Sequence, residues 1–254
     1  MKIGIGVTTY NRPRHAELCE KQITGLTFSQ SYSTNGGGVI GADFNHNTVY
    51  MLVVDDSKER KGIAYRKNEC LKRLAHCDYI FLFDDDCFPI KDGWAEFFIG
   101  AHKASGQHHF LYLKETSTIR LIQAHQNRDL GADYKFSIRT IMEYNNCGGC
   151  FMFLTKEVIE KVGGYCKDYG YYGFEHAGYS QRIHAAGLTP MGAYLCPAGA
   201  GEYIYAMDYD FHLPFNKQVN HQPSMMNEIN KIPEYIEQNR KVFLKDVETI
   251  YQPL

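Results

Sequence analysis

Residues Tyr79–Pro89, YIFLFDDDCFP, place three consecutive carboxylates directly after an apolar run. The run Tyr79–Phe83 is short, β-branched and aromatic without polar alternation, which is typical of a buried strand inside an α/β sheet. Asp84, Asp85 and Asp86 then fall at the carboxyl end of that strand, where open sheets of this class bind ligands. Since like charges repel, we expect the triplet to need a bound positive group. The alternative is a solvated turn, which the following proline also favours.

Two further buried strands precede this one, and each also ends in polar residues. Lys2–Thr8 leads into TTYNRP, and Val49–Val54 leads into the carboxylates Asp55 and Asp56. Helical patterns lie between the strands, and this alternation predicts an α/β fold with a mostly parallel central sheet flanked by helices. Because the carboxyl ends of parallel strands share one edge, TTYNR, DDS and DDD are expected to meet in a single crevice.

The other elements are predicted from helical periodicity, apolar runs and loop composition. Residues 28–47 are rich in Ser, Asn and Gly, which predicts a loop. The stretch GFEHAGYSQRIHAAG is expected to open a helix near Glu175 or His176. The remaining predictions are helices at 14–25, 62–76, 93–104, 155–164 and 232–251, and strands at 110–113 and 148–154.

Composition narrows the class of protein. The chain has 254 residues, of which 44% are hydrophobic and 22% charged, as expected for one globular domain. A net charge of −2 gives no reason to expect a nucleic-acid partner. No stretch approaches 18 apolar residues and the apolar N-terminal run is too short for a signal peptide, so no transmembrane segment and a cytoplasmic location are expected. Most of the eight cysteines are interpreted as small buried apolar residues in a reducing compartment.

Six segments in order resemble a GT-A nucleotide-sugar glycosyltransferase, and are most similar to glycosyltransferase family 2. They are VTTYNRP, VVDDS, GIAYRKNECL (the family's G-x-A-x-x-R-N helix), FDDDCFP (its DxD segment), GGCFMFLTKEVIEKVGGY and GFEHAGYSQRIHAAGL. The resemblance covers about residues 3–190. It implies one domain over residues 1–254, with a nucleotide-sugar-binding half at 1–113, an acceptor and catalytic half at 114–200, and a C-terminal loop and helix at 201–254.

The resemblance implies a divalent cation, Mn²⁺ or Mg²⁺, that neutralises the diphosphate leaving group. It assigns Asp86 to the metal and Asp84 to the metal or the ribose. Asp85 belongs to the same nucleotide-binding segment, but in an extended chain its side chain points to the opposite side, which favours a structural role. A late histidine completes the metal shell in many GT-A enzymes, and His212 is the first choice here, with His221 second.

Donor recognition is implied for the first two strand tips. Tyr10 is expected to stack on the base and Thr8 to contact it, with Arg12 as a weaker phosphate candidate. Asp56 resembles the residue that accepts a hydrogen bond from uracil N3–H, and Asp55 ranks second. A carboxylate needs a donor on the base, so a UDP-sugar is favoured and a GDP-sugar stays possible. Arg66 is assigned to the diphosphate.

Catalysis requires a base that deprotonates the acceptor hydroxyl if configuration inverts. The family places an acidic pair there, and this chain has Glu175 and His176. Both remain candidates, with Glu175 preferred. Arg182, seven residues later, is expected either to orient this acid or to be a surface arginine. The aromatic residues Tyr169, Tyr171 and Tyr172 could form a platform for an acceptor sugar on a glycan or glycoconjugate, or belong to the core.

Two alternative functions stay open from the sequence. A nucleotidyltransferase would make nucleotide sugars from triphosphates, but VTTYNRPR lacks the glycine-rich basic phosphate loop that such chemistry usually uses. A non-catalytic nucleotide-sugar-binding module would explain the departure at His176.

Overall fold

The computed structural model describes residues 1–27, 40–44, 47–113, 118–123, 140–208 and 230–254. The strands within these ranges are β1 (Lys2–Thr9), β2 (Ile40–Phe44), β3 (Asn47–Asp55), β4 (Tyr79–Asp84), β5 (Cys87–Pro89), β6 (His109–Leu111), β7 (Thr118–Gln123), β8 (Thr140–Tyr144), β9 (Phe151–Thr155), β10 (Leu195–Pro197) and β11 (Ile204–Ala206). The helices are α1 (Pro13–Thr27), α2 (Ile63–Leu74), α3 (Trp94–Ser105), α4 (Lys156–Val162), α5 (Glu175–Ala185) and α6 (Ile232–Asp246).

The centre of the fold is a six-stranded sheet with the order β2-β3-β1-β4-β9-β6. Strand β1 is parallel to both β3 and β4. Strand β9 is antiparallel to its two neighbours, β4 and β6, and β2 is antiparallel to β3. Four strands, β3, β1, β4 and β6, therefore point the same way. The predicted α/β fold with a mostly parallel central sheet is confirmed.

Three predicted boundaries are wrong. Ile40–Phe44 forms an edge strand inside the stretch interpreted as a loop, because pairing with β3 satisfies its backbone and overrides the Ser, Asn and Gly composition. The strand predicted at 148–154 begins only at Phe151, after the glycine pair. The last helix ends at Asp246, and the chain beyond it pairs instead through a bridge from Gln252 to Gly163.

Helices cover both faces of the sheet. Helix α2 approaches one face so closely that a Cβ added at Gly6 would lie 2.9 Å from the Cys70 Cβ. Helix α3 covers the other face, where the Trp94 ring packs 4.8 Å from Phe81 and 5.6 Å from Phe83. Trp94 is 1% exposed and belongs to the core. No helix within the described ranges is long and apolar enough to cross a bilayer.

A small second sheet brings the later part of the chain to the triplet. Strand β11 pairs antiparallel with β5, directly after the three aspartates. The Met207 N–H then donates to the Asp86 carbonyl oxygen at 2.9 Å. The segment around Asp208 consequently borders the carboxyl end of β4.

The cysteines pack as separate free thiols. All eight are free, and the expectation that most are buried is confirmed. Cys147 and Cys150 are the exceptions, because they are half-buried at the edge of the pocket described below.

Candidate active site

The carboxyl ends of β1, β3 and β4 open into a pocket of about 600 Å³. The first turn of α5 and part of α6 also border it. The strand tips and the expected catalytic pair thus meet at one place. The expected site residues that line the pocket are Thr8, Tyr10, Arg12, Asp56, Arg66, Asp84, Asp85, Asp86, Glu175 and His176.

Asp84 is the member of the triplet with the most exposed side chain, at 23%. Its Oδ1 accepts a hydrogen bond from Thr8 Oγ1 at 3.0 Å and pairs with Lys67 Nζ at 2.8 Å. Burial raises the pKa of Asp84, but the Lys67 charge, the interaction with His176 and the hydrogen bonds from Lys67 and Thr8 together outweigh burial and hold this pKa below its ordinary value. Among the described residues both contacts use Oδ1, so Oδ2 of an ionised Asp84 is left for a ligand.

Asp85 and Asp86 share the guanidinium of Arg12. Arg12 donates to Asp86 Oδ2 at 3.0 Å and to both oxygens of Asp85. Burial raises the pKa of Asp85 to about 7 against the opposing Arg12 charge, and the Asp86 carboxylate adds to the rise. Burial also raises the pKa of Asp86, again opposed by Arg12 and reinforced by Asp84. The triplet therefore holds more negative charge than its two cations, Arg12 and Lys67, neutralise.

The partners of Asp85 and Arg12 refine two expectations. Asp85 is 1% exposed and also accepts a hydrogen bond from Thr9 Oγ1, which agrees with a structural role for this carboxylate. Arg12 is buried, and its guanidinium is engaged by the two carboxylates. Its candidate contribution to phosphate binding is therefore secondary to neutralising Asp85 and Asp86.

The triplet suits a hard divalent cation. Carboxylate oxygens are ligands that Mg²⁺ and Mn²⁺ accept. Burial, with a further contribution from the Asp84 and Asp208 charges, raises the pKa of Asp86, and a bound cation would favour its ionised form. No group of three potential side-chain ligands occurs among the described residues. A cation completed by substrate phosphates needs only one or two carboxylates, which Asp84 and Asp86 provide. The expected ligands His212 and His221 lie outside the described residues.

Asp56 is buried and organises the turn before α2. Its carboxylate accepts hydrogen bonds from the N–H groups of Lys61 and Gly62, each at 2.8 Å, and from Arg66 Nε at 2.7 Å. A carboxylate has about four acceptor positions, so one position remains for a donor on a base. Asp55, the second choice, is exposed, is not part of the pocket lining, and accepts the Ser57 N–H at 2.8 Å.

Tyr10 meets a residue that sequence reasoning missed. The guanidinium carbon of Arg60 lies 5.0 Å from the Tyr10 ring centroid and 4.1 Å from that of Tyr171, so the arginine sits near both rings. Arg60 follows two charged residues in KER, a pattern that indicates only a solvated turn. Its position at the pocket depends on Tyr171, which is more than a hundred residues away in the chain.

The arginine expected at the diphosphate, Arg66, is held by other groups. It donates to Asp56, to Glu69 Oε2 at 3.0 Å and to the Glu59 carbonyl oxygen. Its neighbour Lys67, which sequence analysis passed over, is the cation that reaches Asp84. Aligning GIAYRKN letter by letter with G-x-A-x-x-R-N places the family arginine at Lys67, and this count was the available signal.

Lys67, His176 and Glu175 form a connected group at the start of α5. Lys67 is completely buried, and its Nζ lies 2.6 Å from His176 Nε2. His176 Nδ1 lies 2.8 Å from Glu175 Oε1, whereas Glu175 Oε2 is buried and has no described hydrogen-bond partner. Burial raises the pKa of Glu175, but its interactions with His176, with its own backbone N–H and with Lys67 together outweigh burial and lower this pKa. The upward shift that would favour a glutamate base is absent, and Glu175 is ionised at neutral pH.

The glycine pair before β9 has a packing role. A Cβ added at Gly149 would lie 2.1 Å from His176 Nδ1, so no larger residue fits beside the imidazole. The Gly149 carbonyl oxygen accepts a hydrogen bond from Lys67 Nζ at 2.9 Å. Gly149 therefore makes room for His176.

Phe174 holds an uncommon backbone conformation directly before Glu175. Its φ of 68° lies in the left-handed region, which costs a residue with a Cβ about 1–3 kcal/mol. Contact with the Phe243 ring, at 5.4 Å, supports Phe174 from α6. Such conformations cluster at functional sites, and this one sets where α5 begins.

Arg182 does not act on Glu175. It is completely buried and pairs with Asp246 Oδ1 at 2.9 Å. It also donates to backbone carbonyl oxygens, including that of Gly164. Seven residues along a helix correspond to about 10 Å, which is too far for a hydrogen bond to Glu175. The alternative of a surface arginine is wrong as well, because Arg182 is an internal structural cation.

The three tyrosines considered for an acceptor platform separate into two groups. Tyr169 is buried, and its hydroxyl donates to Asp246 Oδ2 at 2.9 Å. Tyr171 and Tyr172 are each 39% exposed and line the pocket. The latter two have the aromatic surface that a sugar ring could contact.

Known proteins with similarity to the chain include glycosyltransferases. An uncharacterised glycosyltransferase of Acanthamoeba polyphaga mimivirus is 26% identical over 205 residues, which cover 75% of this chain and 76% of the relative. No protein-family model matches the sequence. The sequence relationship identifies the chain as a glycosyltransferase homologue and confirms the resemblance seen in its motifs.

Solved structures of similar shape were also found. A mutant Drosophila β1,4-galactosyltransferase 7 with manganese, UDP-Gal and xylobiose is 14% identical, with a TM-score of 0.46, and the match covers 87% of this chain and 75% of that chain. A mannosyltransferase from Pyrobaculum calidifontis with GDP-Man and Mn²⁺ is 12% identical, with a TM-score of 0.47, and the match covers 77% of this chain and 55% of that chain.

Proposed function

We propose that this chain, a glycosyltransferase homologue, transfers a sugar from a nucleoside-diphosphate sugar to an acceptor hydroxyl on a glycan or glycoconjugate, with inversion of configuration. The observation that carries the proposal is the pocket where the triplet Asp84–Asp86 meets a carboxylate oxygen of Glu175 that has no hydrogen-bond partner among the described residues. One end of this pocket suits a cation and a diphosphate, and the other end suits a hydroxyl.

The donor is assigned to residues 1–113. Bound Mn²⁺ or Mg²⁺ would supply charge neutralisation for the diphosphate leaving group. Asp84 and Asp86 would hold the cation, while Tyr10 and Thr8 border the base. Asp56 keeps one acceptor position for an N–H of the base, which favours a UDP-sugar over a cytidine donor and leaves a GDP-sugar as the second choice.

The acceptor and the base are assigned to residues 114–200. From the C-terminal part, Ala206, Asp208, Ile236 and Phe243 also line the pocket. Glu175 is the better base because both ring nitrogens of His176 are already within hydrogen-bond distance of Lys67 and Glu175. Glu175 Oε2 accepts the hydroxyl proton as the acceptor oxygen bonds to the anomeric carbon of the donor sugar. The bond from that carbon to the phosphate oxygen breaks, and its electron pair leaves with the diphosphate.

The cellular location proposed is the cytoplasm. Its support is the set of eight free cysteines, which suits a reducing compartment.

The test is a donor-cleavage assay with Mn²⁺ and a panel of UDP- and GDP-sugars, with and without simple glycoside acceptors. We expect nucleoside diphosphate to be released by the wild type and not by Glu175→Gln or Asp86→Asn. Asp92→Asn, at an exposed aspartate, is the matched control and should retain activity.

Two outcomes would contradict the proposal. Pyrophosphate release from UTP and a sugar phosphate would indicate a nucleotidyltransferase. Calorimetric binding of the nucleotide sugar without cleavage of any donor in the panel would indicate a binding module.

A further inference from the structure

A continuous row of contacts links the triplet to the proposed base. It runs from Asp84 Oδ1 to Lys67 Nζ over 2.8 Å, from Lys67 Nζ to His176 Nε2 over 2.6 Å, and from His176 Nδ1 to Glu175 Oε1 over 2.8 Å. Its members come from β4, α2 and α5, and Lys67 and His176 are 109 residues apart in the chain. Every side chain in the row lines the pocket or lies directly behind it.

The direction of each hydrogen bond follows from the chemistry of the lysine. An ammonium group has three N–H donors and no acceptor. Lys67 donates these three hydrogen bonds to Asp84, to the Gly149 carbonyl oxygen and to His176 Nε2. His176 Nε2 must then be the unprotonated ring nitrogen. The ring proton consequently resides on Nδ1, which donates to Glu175.

The tautomer of His176 in turn decides which oxygen of Glu175 is free. A donating Nδ1–H holds Oε1, and Oε2 is left buried without a described partner. With the opposite tautomer, an unprotonated Nδ1 would face a carboxylate, and two acceptors at 2.8 Å repel. Glu175 would then rotate away, and neither oxygen would be fixed.

We propose that Lys67 is a positioning residue that fixes His176 as the Nδ1–H tautomer, so that Glu175 is held by one oxygen and presents the other to the acceptor hydroxyl. The part that concerns the acceptor rests on the proposed function. The part that concerns the tautomer rests on contacts alone. Lys67 touches neither Glu175 nor the acceptor, so its effect passes through the imidazole.

The burial of Lys67 argues against a purely stabilising role. Moving an ammonium group from water to a completely buried position costs several kcal/mol, and an apolar side chain of similar length would avoid that cost. The Gly149 backbone lies directly against the imidazole, since a Cβ added there would fall 2.1 Å from Nδ1, and the contacts at both ring nitrogens fix the orientation of the ring. The local structure thus maintains one ring orientation and one proton position.

The first measurement is ¹⁵N NMR of the histidine rings in the intact, uniformly labelled protein. The His176 signals are assigned by their loss in His176→Asn. We expect wild-type His176 to show a protonated Nδ1 and an unprotonated Nε2. In Lys67→Met, where the Nε2 donor is gone, we expect Nε2–H signal to appear.

The matched control is Lys72→Met, which makes the same change at an exposed lysine of the same helix and should leave the His176 spectrum unchanged. A wild-type spectrum with Nε2–H overturns the proposal whether or not Lys67→Met folds. An unchanged tautomer in folded Lys67→Met overturns it as well. Because no substrate is used, these results stand even if no donor is cleaved.

The second measurement uses donor cleavage. Lys67→Met and His176→Asn should each lower kcat about 10- to 100-fold, the range seen when a hydrogen-bonded partner that orients a functional side chain is removed. The double variant should be no worse than the poorer single variant, because both changes break one row. If the losses in kcat of the two single variants add up in the double variant, Lys67 does not act through His176 and the positioning role is refuted. A wild-type spectrum with the expected tautomer would then still support the tautomer assignment.

Discussion

The first and later turns of α5 carry buried charges that serve different purposes. In the first turn, Glu175 lines the pocket and has one oxygen without a hydrogen-bond partner in the part of the chain that the structure describes. Two turns later, Arg182 pairs with Asp246, and both side chains are completely buried. The later pair is balanced, because it has one cation and one anion. Backbone carbonyl oxygens accept further hydrogen bonds from the Arg182 guanidinium. The triplet near the first turn has three carboxylates for Arg12 and Lys67.

This difference separates structure from function more clearly than burial does. A balanced buried pair has no need of a ligand, whereas a surplus of buried carboxylates favours a bound cation. Glu175 and Arg182 are close in sequence and on one helix, yet of the two only Glu175 lines the pocket.

The largest effect is expected from removing the balanced cation. Arg182→Met leaves Asp246 buried without its partner, so the free energy of unfolding should fall by about 3–5 kcal/mol. Urea denaturation monitored by circular dichroism measures it. Arg240→Met, at an exposed arginine of α6, is the control and should change it by less than about 0.5 kcal/mol. A loss below about 1 kcal/mol for Arg182→Met would show that the pair is not a structural element.

Removing a carboxylate of the triplet should change stability little and activity strongly. Asp86→Asn relieves repulsion within the triplet, so unfolding in metal-free buffer should change by less than about 1 kcal/mol. Donor cleavage with Mn²⁺ should fall roughly 1000-fold in kcat/KM, equal to about 4 kcal/mol, because a metal ligand is lost. Parallel unfolding and kinetic assays give both numbers. If Asp86→Asn strongly destabilises the fold and retains activity, Asp86 is a structural residue and the contrast with Arg182 is wrong.

Acid should weaken the scaffold through a third kind of buried group, a neutral histidine. Burial lowers the pKa of His109 from 6.5 to about 4. The unfolded chain takes up this proton near pH 6.5 and the folded protein only near pH 4. The stabilisation is therefore complete above pH 6.5 and is lost as the pH falls to 4, for a total of about 3 kcal/mol.

The measurement is the free energy of unfolding between pH 4 and pH 7, in wild type and in His109→Gln, which cannot titrate. The free energy of unfolding of the wild type minus that of His109→Gln should rise by about 3 kcal/mol from pH 4 to pH 7. A constant difference would mean that His109 is protonated equally in both states.

The smallest effect is expected where α6 supports the loop that precedes α5. Asn239 Nδ2 lies within hydrogen-bond distance of the carbonyl oxygens of Tyr169, Tyr172 and Gly173, at 2.7, 2.7 and 3.1 Å. Asn239→Ala leaves these acceptors unpaired and should cost about 1–2 kcal/mol in urea denaturation. Gln238→Ala, at the exposed neighbouring position, is the control. If Asn239→Ala and Gln238→Ala change the free energy of unfolding equally, the Asn239 hydrogen bonds do not contribute to stability.

Most of the sheet could be predicted because its strands are short apolar runs. The runs that became β1, β3 and β4 are buried, and parallel geometry brings their polar ends together whatever the rest of the chain does. The edge strand Ile40–Phe44 could not be predicted, since its Gly- and Asn-rich surroundings indicate a loop and only pairing with β3 makes it extended.

The site was harder to predict than the sheet because its contacts are distant in sequence. Lys67 follows Arg66 in an amphipathic helix, and apart from the motif count nothing local indicates which of the two reaches Asp84. Arg182 has the spacing of a helical neighbour of Glu175, but its partner, Asp246, comes from another helix. Motif order located the pocket, and only tertiary contacts assign the cations within it.

The most direct test of the central claim is a crystal of the protein grown with Mn²⁺ and UDP, with the metal located by its anomalous scattering. The account predicts one strong manganese peak bonded to a carboxylate oxygen of Asp84 or Asp86 and to the diphosphate, within reach of the Glu175 side of the pocket. A nucleotide-bound manganese away from the triplet, or UDP bound outside this pocket, would contradict it.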